Sequence, residues 1–89
     1  MKGVTARSGF HRELKRMLKR GYDRAAFDDA LSHLRTNSPL PFSARPHKLS
    51  GRWKNHWECH LGFDWLLIYE VTDTEVVLVS TGTHADLFE

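Results

Sequence analysis

The sequence contains a single cysteine, Cys59, so an internal disulfide cannot hold its 89 residues together. A domain this small must instead be held by packing, or in part by a partner. Its longest uninterrupted apolar run, residues 65–69, is far short of the roughly 20 residues of a transmembrane helix. The N-terminus also lacks the apolar region of a signal peptide. We therefore expect one cytoplasmic domain, residues 1–89, without membrane contact.

Acidic residues are scarce in two parts of the chain, although the formal net charge is only +2. Residues 1–24 carry eight basic and two acidic residues, and positions 39–57 carry no acidic residue. The second stretch holds a basic cluster with two interleaved histidines: Arg45, His47, Lys48, Arg52, Lys54 and His56. Two basic patches on a small domain favour a polyanionic partner, most often nucleic acid. For the first patch we favour the simpler interpretation of a solvated helix face that a partner can cover, and the second patch has more weight because aromatic residues and histidines accompany it.

Two stretches in the first half have the apolar spacing of amphipathic helices. Ser8 precedes the first stretch and Gly21 follows it as a stop, while Asp23 is placed to cap the second, which ends before Asn37. The apolar positions of the first stretch are Phe10, Leu14, Met17 and Leu18. Those of the second are Phe27, Ala30, Leu31 and Leu34. We predict two helices that form an antiparallel hairpin.

The second half has β character, with strands predicted at residues 53–60, 64–71 and 75–81 and turns at 61–63 and 72–74. A short extended segment also lies near residues 4–6. The sequence therefore predicts an α+β fold, in which an N-terminal two-helix hairpin packs on an antiparallel sheet of three to four strands. The helices are expected to cover one sheet face and to leave the other face open.

Several histidines and one carboxylate are expected on the open sheet face and its rim. They are His47, His56, His60, Asp64 and His84. A metal site is not expected, because His56 and His60 are four residues apart on a strand, which separates them by about 13 Å. Cys59 points to the opposite face from His60, so no compact set of Cys and His ligands forms. We predict neither a metal nor another cofactor.

Acid–base chemistry is a better use for these histidines. Cleavage of RNA by its own 2′-hydroxyl needs a base for the hydroxyl proton, an acid for the departing 5′-oxygen, and cations for the phosphate. Imidazoles titrate near neutrality and suit both proton transfers. Any single exposed histidine could be incidental, so the hypothesis depends on the group.

Three motifs in the second half carry a family resemblance. They are PHKLSGRWK at residues 46–54, CH at 59–60 followed by DWLLIY at 64–69, and TGTHADLF at 81–88. In this order and spacing they resemble the YafQ branch of RelE-type bacterial toxins. The resemblance implies a ribosome-dependent endoribonuclease, or mRNA interferase, that cuts mRNA in the ribosomal A site. It also implies neutralisation by an antitoxin of the RelB or DinJ type, with DNA contacted only through the antitoxin complex.

The same resemblance assigns catalytic positions. His84 corresponds to the principal catalytic histidine of the family, a candidate general acid. His60, Asp64 and His47 correspond to the other acid–base and phosphate-orienting positions, and which histidine acts as the base stays open.

Trp65 and Phe88 match the active-site aromatics of the family and are expected to bind substrate. Trp65 lies in an apolar strand, however, and could equally be a core residue.

One position departs from the family pattern. The family commonly has an arginine directly before its T-G-[TS]-H motif, and Ser80 stands there in this chain. A hydroxyl cannot replace the charge and two-pronged donor geometry of a guanidinium. We hypothesise that one basic residue of the acid-free loop supplies the missing charge to the substrate: Arg45, Lys48, Arg52 or Lys54. Removal of charge at Lys54 or Arg52 is then expected to slow cleavage.

Two other interpretations compete with an active enzyme. One is a catalytically weakened toxin homologue that keeps only its antitoxin interface. The other is an RNA-binding module without cleavage, whose binding would fall steeply with salt. The presence of all four site residues argues against the first, and the absence of an RRM-like or OB-like stacking pattern argues against the second.

Overall fold

A five-stranded mixed sheet forms the centre of the molecule in the computed structural model, which describes residues 1–88. In chain order the elements are β1 (Gly3–Ala6), α1 (Phe10–Lys19), α2 (Arg24–Arg35), β2 (His47–Lys48), β3 (Trp57–Gly62), β4 (Trp65–Val71), β5 (Glu75–Gly82) and α3 (His84–Phe88). The strands lie side by side in the order β1-β5-β4-β3-β2. Short 3-10 turns, Phe42–Ala44 and Gly51–Trp53, flank β2. The predicted α+β class is confirmed.

The sheet differs from the prediction at its outer strand. β1 pairs in parallel with β5, with Gly3 opposite Glu75 and Ala6 opposite Leu78, whereas the other neighbouring strands are antiparallel. The sheet therefore has five strands and mixed direction, not three to four antiparallel ones. The four residues of β1 are mostly exposed, so no alternation of apolar and polar residues marked them as a strand with a distant partner.

The strand boundaries also shift. β3 begins at Trp57 instead of Trp53, because residues 51–53 form a 3-10 turn and Asn55 has a positive φ of 73°. The turn before β4 consists of Phe63 and Asp64, since residues 61 and 62 continue β3.

The helices form largely where their apolar spacing predicts. Asp23 caps α2, and its side chain accepts a hydrogen bond of 2.9 Å from the backbone N–H of Ala25. Ser8 does not cap α1, which instead starts after Gly9 with φ 87°, a conformation that glycine adopts easily. The helices do not form a simple hairpin: α1 packs mainly on β5, and α2 packs on β3 and β5. Phe10 and Phe27 join them, with ring centroids 6.0 Å apart.

The hydrophobic core lies between the helices and one face of the sheet. Its members from the two main helices are Phe10, Leu14, Met17, Phe27 and Leu34, and its members from the strands are Cys59, Trp65, Leu67, Tyr69, Val76 and Leu78. Leu66 and Ile68 alternate with core residues of β4 and therefore point to the second face, yet both are fully buried. The second face is thus covered along its middle, and the expectation of an open face was wrong there.

None of the helices described in residues 1–88 is long and apolar enough to cross a bilayer.

Candidate active site

His84 and Asp64 form the tightest polar pair of the site. Asp64 lies in the β3–β4 turn with a positive φ of 51°, and His84 begins α3 one residue after the end of β5. One oxygen of Asp64, Oδ1, accepts hydrogen bonds from the backbone N–H of His84 at 2.9 Å and from its ring Nδ1 at 2.7 Å. These bonds hold the pKa of Asp64 below its ordinary value. Asp64 is therefore an ionised carboxylate that fixes the His84 ring through Nδ1 and leaves Nε2 for other contacts.

His60 faces this pair from β3. Its ring centroid lies 6.1 Å from that of His84. On its other side, Nη2 of Arg45 lies 3.3 Å from Nε2 of His60. Burial, and then the positive charge of Arg45, lower the pKa of His60. A neutral imidazole with an unprotonated Nε2 is therefore the favoured form near neutral pH.

An open cleft of about 600 Å³ joins these groups. Its lining consists of Ser43, Arg45, His60, Leu61, Gly62, Phe63, Asp64 and His84. Phe63 is 95% exposed, and Phe88, which is 44% exposed, has its ring centroid 6.3 Å from that of His84. The cleft thus brings together two imidazoles, a carboxylate, a guanidinium and exposed aromatic surface.

Asp86 anchors α3, the helix that carries His84. Its carboxylate accepts a hydrogen bond of 2.6 Å from Arg20 of α1 and one of 2.9 Å from the backbone N–H of Thr83. The Arg20 contact, followed by the Thr83 contact, holds the pKa of Asp86 well below its usual range. A Cβ at Gly82 would lie 2.8 Å from Cβ of Asp86, so the approach of α3 to β5 needs glycine at this position.

The predicted site residues do not all meet in this cleft. The structure brings together His84, His60 and Asp64, with Phe88 beside them. His47 lies next to the cleft in β2. Its Nδ1 is 2.9 Å from the backbone oxygen of Arg45 and its Nε2 is 3.3 Å from Oε1 of the buried Glu58. Nδ1 of His47 is therefore held by this backbone oxygen, and its Nε2 faces Glu58.

Three of the four basic residues predicted to bind substrate, Lys48, Arg52 and Lys54, lie outside the cleft lining. Lys48 borders a separate depression with Trp57 and Glu70. The guanidinium of Arg52 lies 5.8 Å from the ring centroid of Trp53, and Lys54 follows the same 3-10 turn.

Trp65 is a core residue in the structure. It is 1% exposed, its indole N–H donates to Thr81 Oγ1 at 2.9 Å, and its ring packs on Tyr22 with centroids 5.3 Å apart. The ring has no free face for a nucleotide base, which favours the core alternative over substrate binding.

Ser80 is turned away from the cleft as well. Its hydroxyl donates to the Glu13 carboxylate at 3.0 Å, and the backbone N–H of Thr81 donates to the same carboxylate at 3.4 Å. The Glu13 carboxylate thus accepts hydrogen bonds from the part of β5 that extends beyond its pairing with β1. The Ser80 hydroxyl is used in this contact and has no role beside His60 and His84.

The sequence did not single out two residues of the cleft, Arg45 and Phe63. Arg45 was one of four basic candidates, and nothing in the sequence showed that its φ of 44° would place it beside His60. Phe63 was assigned to a turn, where a large exposed aromatic side chain is a usable signal of binding.

Neither thiol chemistry at Cys59 nor metal binding is supported by the part of the chain that the structure describes. Burial raises the pKa of the Cys59 thiol to about 12, so it stays protonated and unreactive. Among residues 1–88, no group of three or more His, Cys, Asp or Glu side chains is arranged to hold a metal ion.

Comparison with known proteins gives a consistent family. A model of the family described as "Bacterial toxin of type II toxin-antitoxin system, YafQ" matches residues 2–89. The mRNA interferase toxin YafQ of Escherichia coli K12 is 36% identical over 80 residues, which are 89% of this chain and 87% of that protein.

Solved structures agree. A copper-bound mutant toxin from Helicobacter pylori is similar with a TM-score of 0.92 and 32% identity, over 99% of this chain and 100% of that chain. A chain of the Escherichia coli DinJ–YafQ toxin–antitoxin complex is similar with a TM-score of 0.89 and 32% identity, over 99% of this chain and 98% of that one. On these matches, the chain belongs to the YafQ family of toxins of bacterial type II toxin–antitoxin systems.

Proposed function

We propose that this toxin is an mRNA interferase that cleaves mRNA in the ribosomal A site by metal-free acid–base catalysis. The observation that supports it most directly is the pairing of His84 with Asp64 opposite His60 in one cleft. Two imidazoles held apart, one beside a carboxylate and one beside a cation, suit the two opposite proton transfers of RNA cleavage.

The proposed reaction is an internal transfer at one phosphate of the message. Nε2 of neutral His60 takes the proton of a 2′-hydroxyl, whose oxygen bonds to the neighbouring phosphorus. The bond from that phosphorus to the 5′-oxygen breaks, and protonated His84 gives its Nε2 proton to this oxygen. The products are a 2′,3′-cyclic phosphate and a free 5′-hydroxyl. The lowered pKa of His60 fits a base, because the unprotonated ring is then available at neutral pH.

Exposed aromatic rings suit the bases on either side of this phosphate. Phe63 and Phe88 lie beside the imidazoles and are exposed, so each has a face on which a base can stack. An extended message laid across the cleft would place its bases against these rings and its phosphates against the polar groups.

Ribosome and antitoxin are the proposed partners. The exposed face of α1 carries basic residues, including Arg12, Lys15 and Lys19, which suits ribosomal RNA or an acidic antitoxin segment. A relative occurs in the DinJ–YafQ complex, so we assign this toxin an antitoxin of that kind in the cytoplasm, with DNA contacted only through the toxin–antitoxin complex.

The test is cleavage of a short defined mRNA on translating ribosomes, with 3′ ends mapped by primer extension. We expect the wild-type toxin to cut in the A site and His84→Ala to be inactive. His33→Ala is the matched control, because the ring of His33 is bonded within α2 through Nδ1 and the backbone oxygen of Asp29. A wild-type toxin that binds ribosomes or its antitoxin but leaves the message intact would overturn the proposal. The chain would then be a binding-only toxin.

A further inference from the structure

We propose that Arg45 is the residue that binds the scissile phosphate during cleavage. This inference rests on the proposed function and adds one catalytic residue to it. The observation behind it is a guanidinium that lines the cleft beside His60 and forms no ion pair within residues 1–88.

The backbone holds Arg45 in a defined position. The residue follows the 3-10 turn at Phe42–Ala44 and has a φ of 44°, which a non-glycine residue adopts only when its surroundings enforce it. Its N–H donates to the carbonyl of Phe42 at 3.0 Å, and its own carbonyl lies 2.9 Å from Nδ1 of His47. The side chain therefore starts from a fixed point at the rim of the cleft.

The charges around Arg45 favour binding of an anion that the protein itself does not supply. Arg45, His60 and His84 converge on one cleft, and Asp64, the carboxylate of its lining, is engaged by His84. A guanidinium next to an imidazole, without an acidic partner, disfavours protonation of that imidazole. A bound phosphate would relieve this repulsion and would match the two-pronged donor geometry of the guanidinium.

Three other arginines in the described structure pair with carboxylates outside the cleft lining. Arg7 pairs with Glu70, Arg20 with Asp86, and Arg24 with Asp28. Arg52 lies over Trp53, outside the cleft lining. Of the Lys and Arg side chains in residues 1–88, Arg45 is the one that lines the cleft, so the structure narrows four sequence candidates to this residue.

Phosphate binding by Arg45 also frees Nε2 of His60, the proposed general base. In the free protein, Nη2 of Arg45 faces Nε2 of His60. When the guanidinium turns to the phosphate oxygens, Nε2 becomes free to accept the 2′-hydroxyl proton. The same cation then stabilises the negative charge that builds on the phosphate in the transition state.

The decisive measurement is the single-turnover rate of mRNA cleavage on programmed ribosomes at saturating toxin. We expect Arg45→Ala to lower this rate by about 100-fold or more, as for loss of one transition-state donor. The cleavage rate of Arg45→Lys should lie between those of the wild type and Arg45→Ala, because lysine keeps the charge and loses the two-pronged geometry. The matched controls are Arg24→Ala, an exposed arginine on α2 that is expected to cleave like the wild type, and Arg52→Ala, the earlier candidate.

A second measurement separates substrate contact from general damage. In the free protein, the ring pKa of His60, followed by NMR, should rise in Arg45→Ala and stay near the wild-type value in Arg45→Lys. An Arg45→Ala variant that cleaves like the wild type, or an effect confined to Arg52→Ala, would overturn the inference while leaving the proposed function intact. If the wild-type toxin itself leaves the message uncut, the proposed function has failed first.

Discussion

Two pairs of histidines in the second half of this chain have different surroundings. His60 and His84 converge on a cleft, each with a distinct charged neighbour, Arg45 or Asp64. His47 and His56 lie beside buried or half-buried glutamates, Glu58 and Glu70.

The ring nitrogens show what separates the pairs. Nδ1 of His56 is 3.1 Å from the backbone oxygen of Lys54, and its Nε2 is buried 3.4 Å from the carboxylate of Glu70. Nδ1 of His47 is held by the backbone oxygen of Arg45 and its Nε2 faces Glu58, whereas Nδ1 of His84 is held by Asp64 and its Nε2 is left for a substrate. Proton transfer needs a nitrogen that a substrate can reach, so residue type alone does not make these four histidines equivalent.

We expect the largest difference in cleavage rate between a substitution of His84, which lines the cleft, and one of His56, which does not. His84→Ala should lower the single-turnover rate of mRNA cleavage by about 10²- to 10⁴-fold, the range of one general acid or base. His56→Ala should stay within a few-fold of wild type, because its ring does not line the cleft. Equal losses in the two variants would break the distinction between the pairs.

Asp64→Asn should give the next largest loss. The amide keeps the shape but loses the charge that fixes the His84 ring through Nδ1. We expect about a 10- to 100-fold slower cleavage step, since bonds to ionised groups are the stronger class. The measurement is the single-turnover rate, with ribosome binding as the control. A change confined to binding would show that Asp64 contacts the ribosome and does not serve His84.

His47→Asn should have a smaller effect. Its ring bonds the backbone oxygen of Arg45, so its removal loosens a position next to the cleft without removing a proton donor or acceptor from it. The expected loss is about two- to tenfold, the rate equivalent of one neutral hydrogen bond. The pH–rate profile should keep both limbs of the wild type. A lost limb would instead identify His47 as the titrating base.

We expect the smallest effect from a substitution of Arg20, the ion-pair partner of Asp86, which anchors the helix that carries His84. Arg20→Gln should lower the melting temperature by a few degrees at neutral pH and slow cleavage slightly, because Asp86 loses its shorter ion pair and keeps only the longer one, of 4.0 Å, to Arg16. The folded pKa of Asp86 is depressed, so the pair stabilises the fold above the ordinary carboxyl pKa and loses this effect as the pH falls below about 4. Melting curves of both proteins should therefore converge in acid. A difference that persists at the lowest pH would mean that Arg20 acts through packing.

Local patterns predicted much of the fold. The spacing of Phe10 and Leu14 marked α1, and Asp23 marked the start of α2, because caps and apolar stripes are properties of neighbouring residues. The parallel pairing of β1 with β5 was missed, since it joins residues about 70 positions apart and leaves no periodic trace in four exposed residues.

The site was predicted in part for a similar reason. The motifs supplied His84, His60 and Asp64, but the basic loop was too irregular to show which cation reaches them. A φ of 44° at Arg45 and a 3-10 turn before Lys54 distinguish these candidates, and neither is visible in the sequence. Trp65 was ambiguous because an apolar strand and an aromatic site use the same residue type.

The distant pairing of β1 also affects how the toxin acquires its activity. β1 precedes α1 in the chain, but its hydrogen-bonding partner β5 is made only after both helices and the three intervening strands. His84 comes just after β5, separated from it by one residue, while Asp64 precedes β4. During synthesis, the outer edge of the sheet and the two halves of the cleft therefore close late and nearly together. A chain interrupted before β5 therefore has neither a pairing partner for its first strand nor His84 beside Asp64.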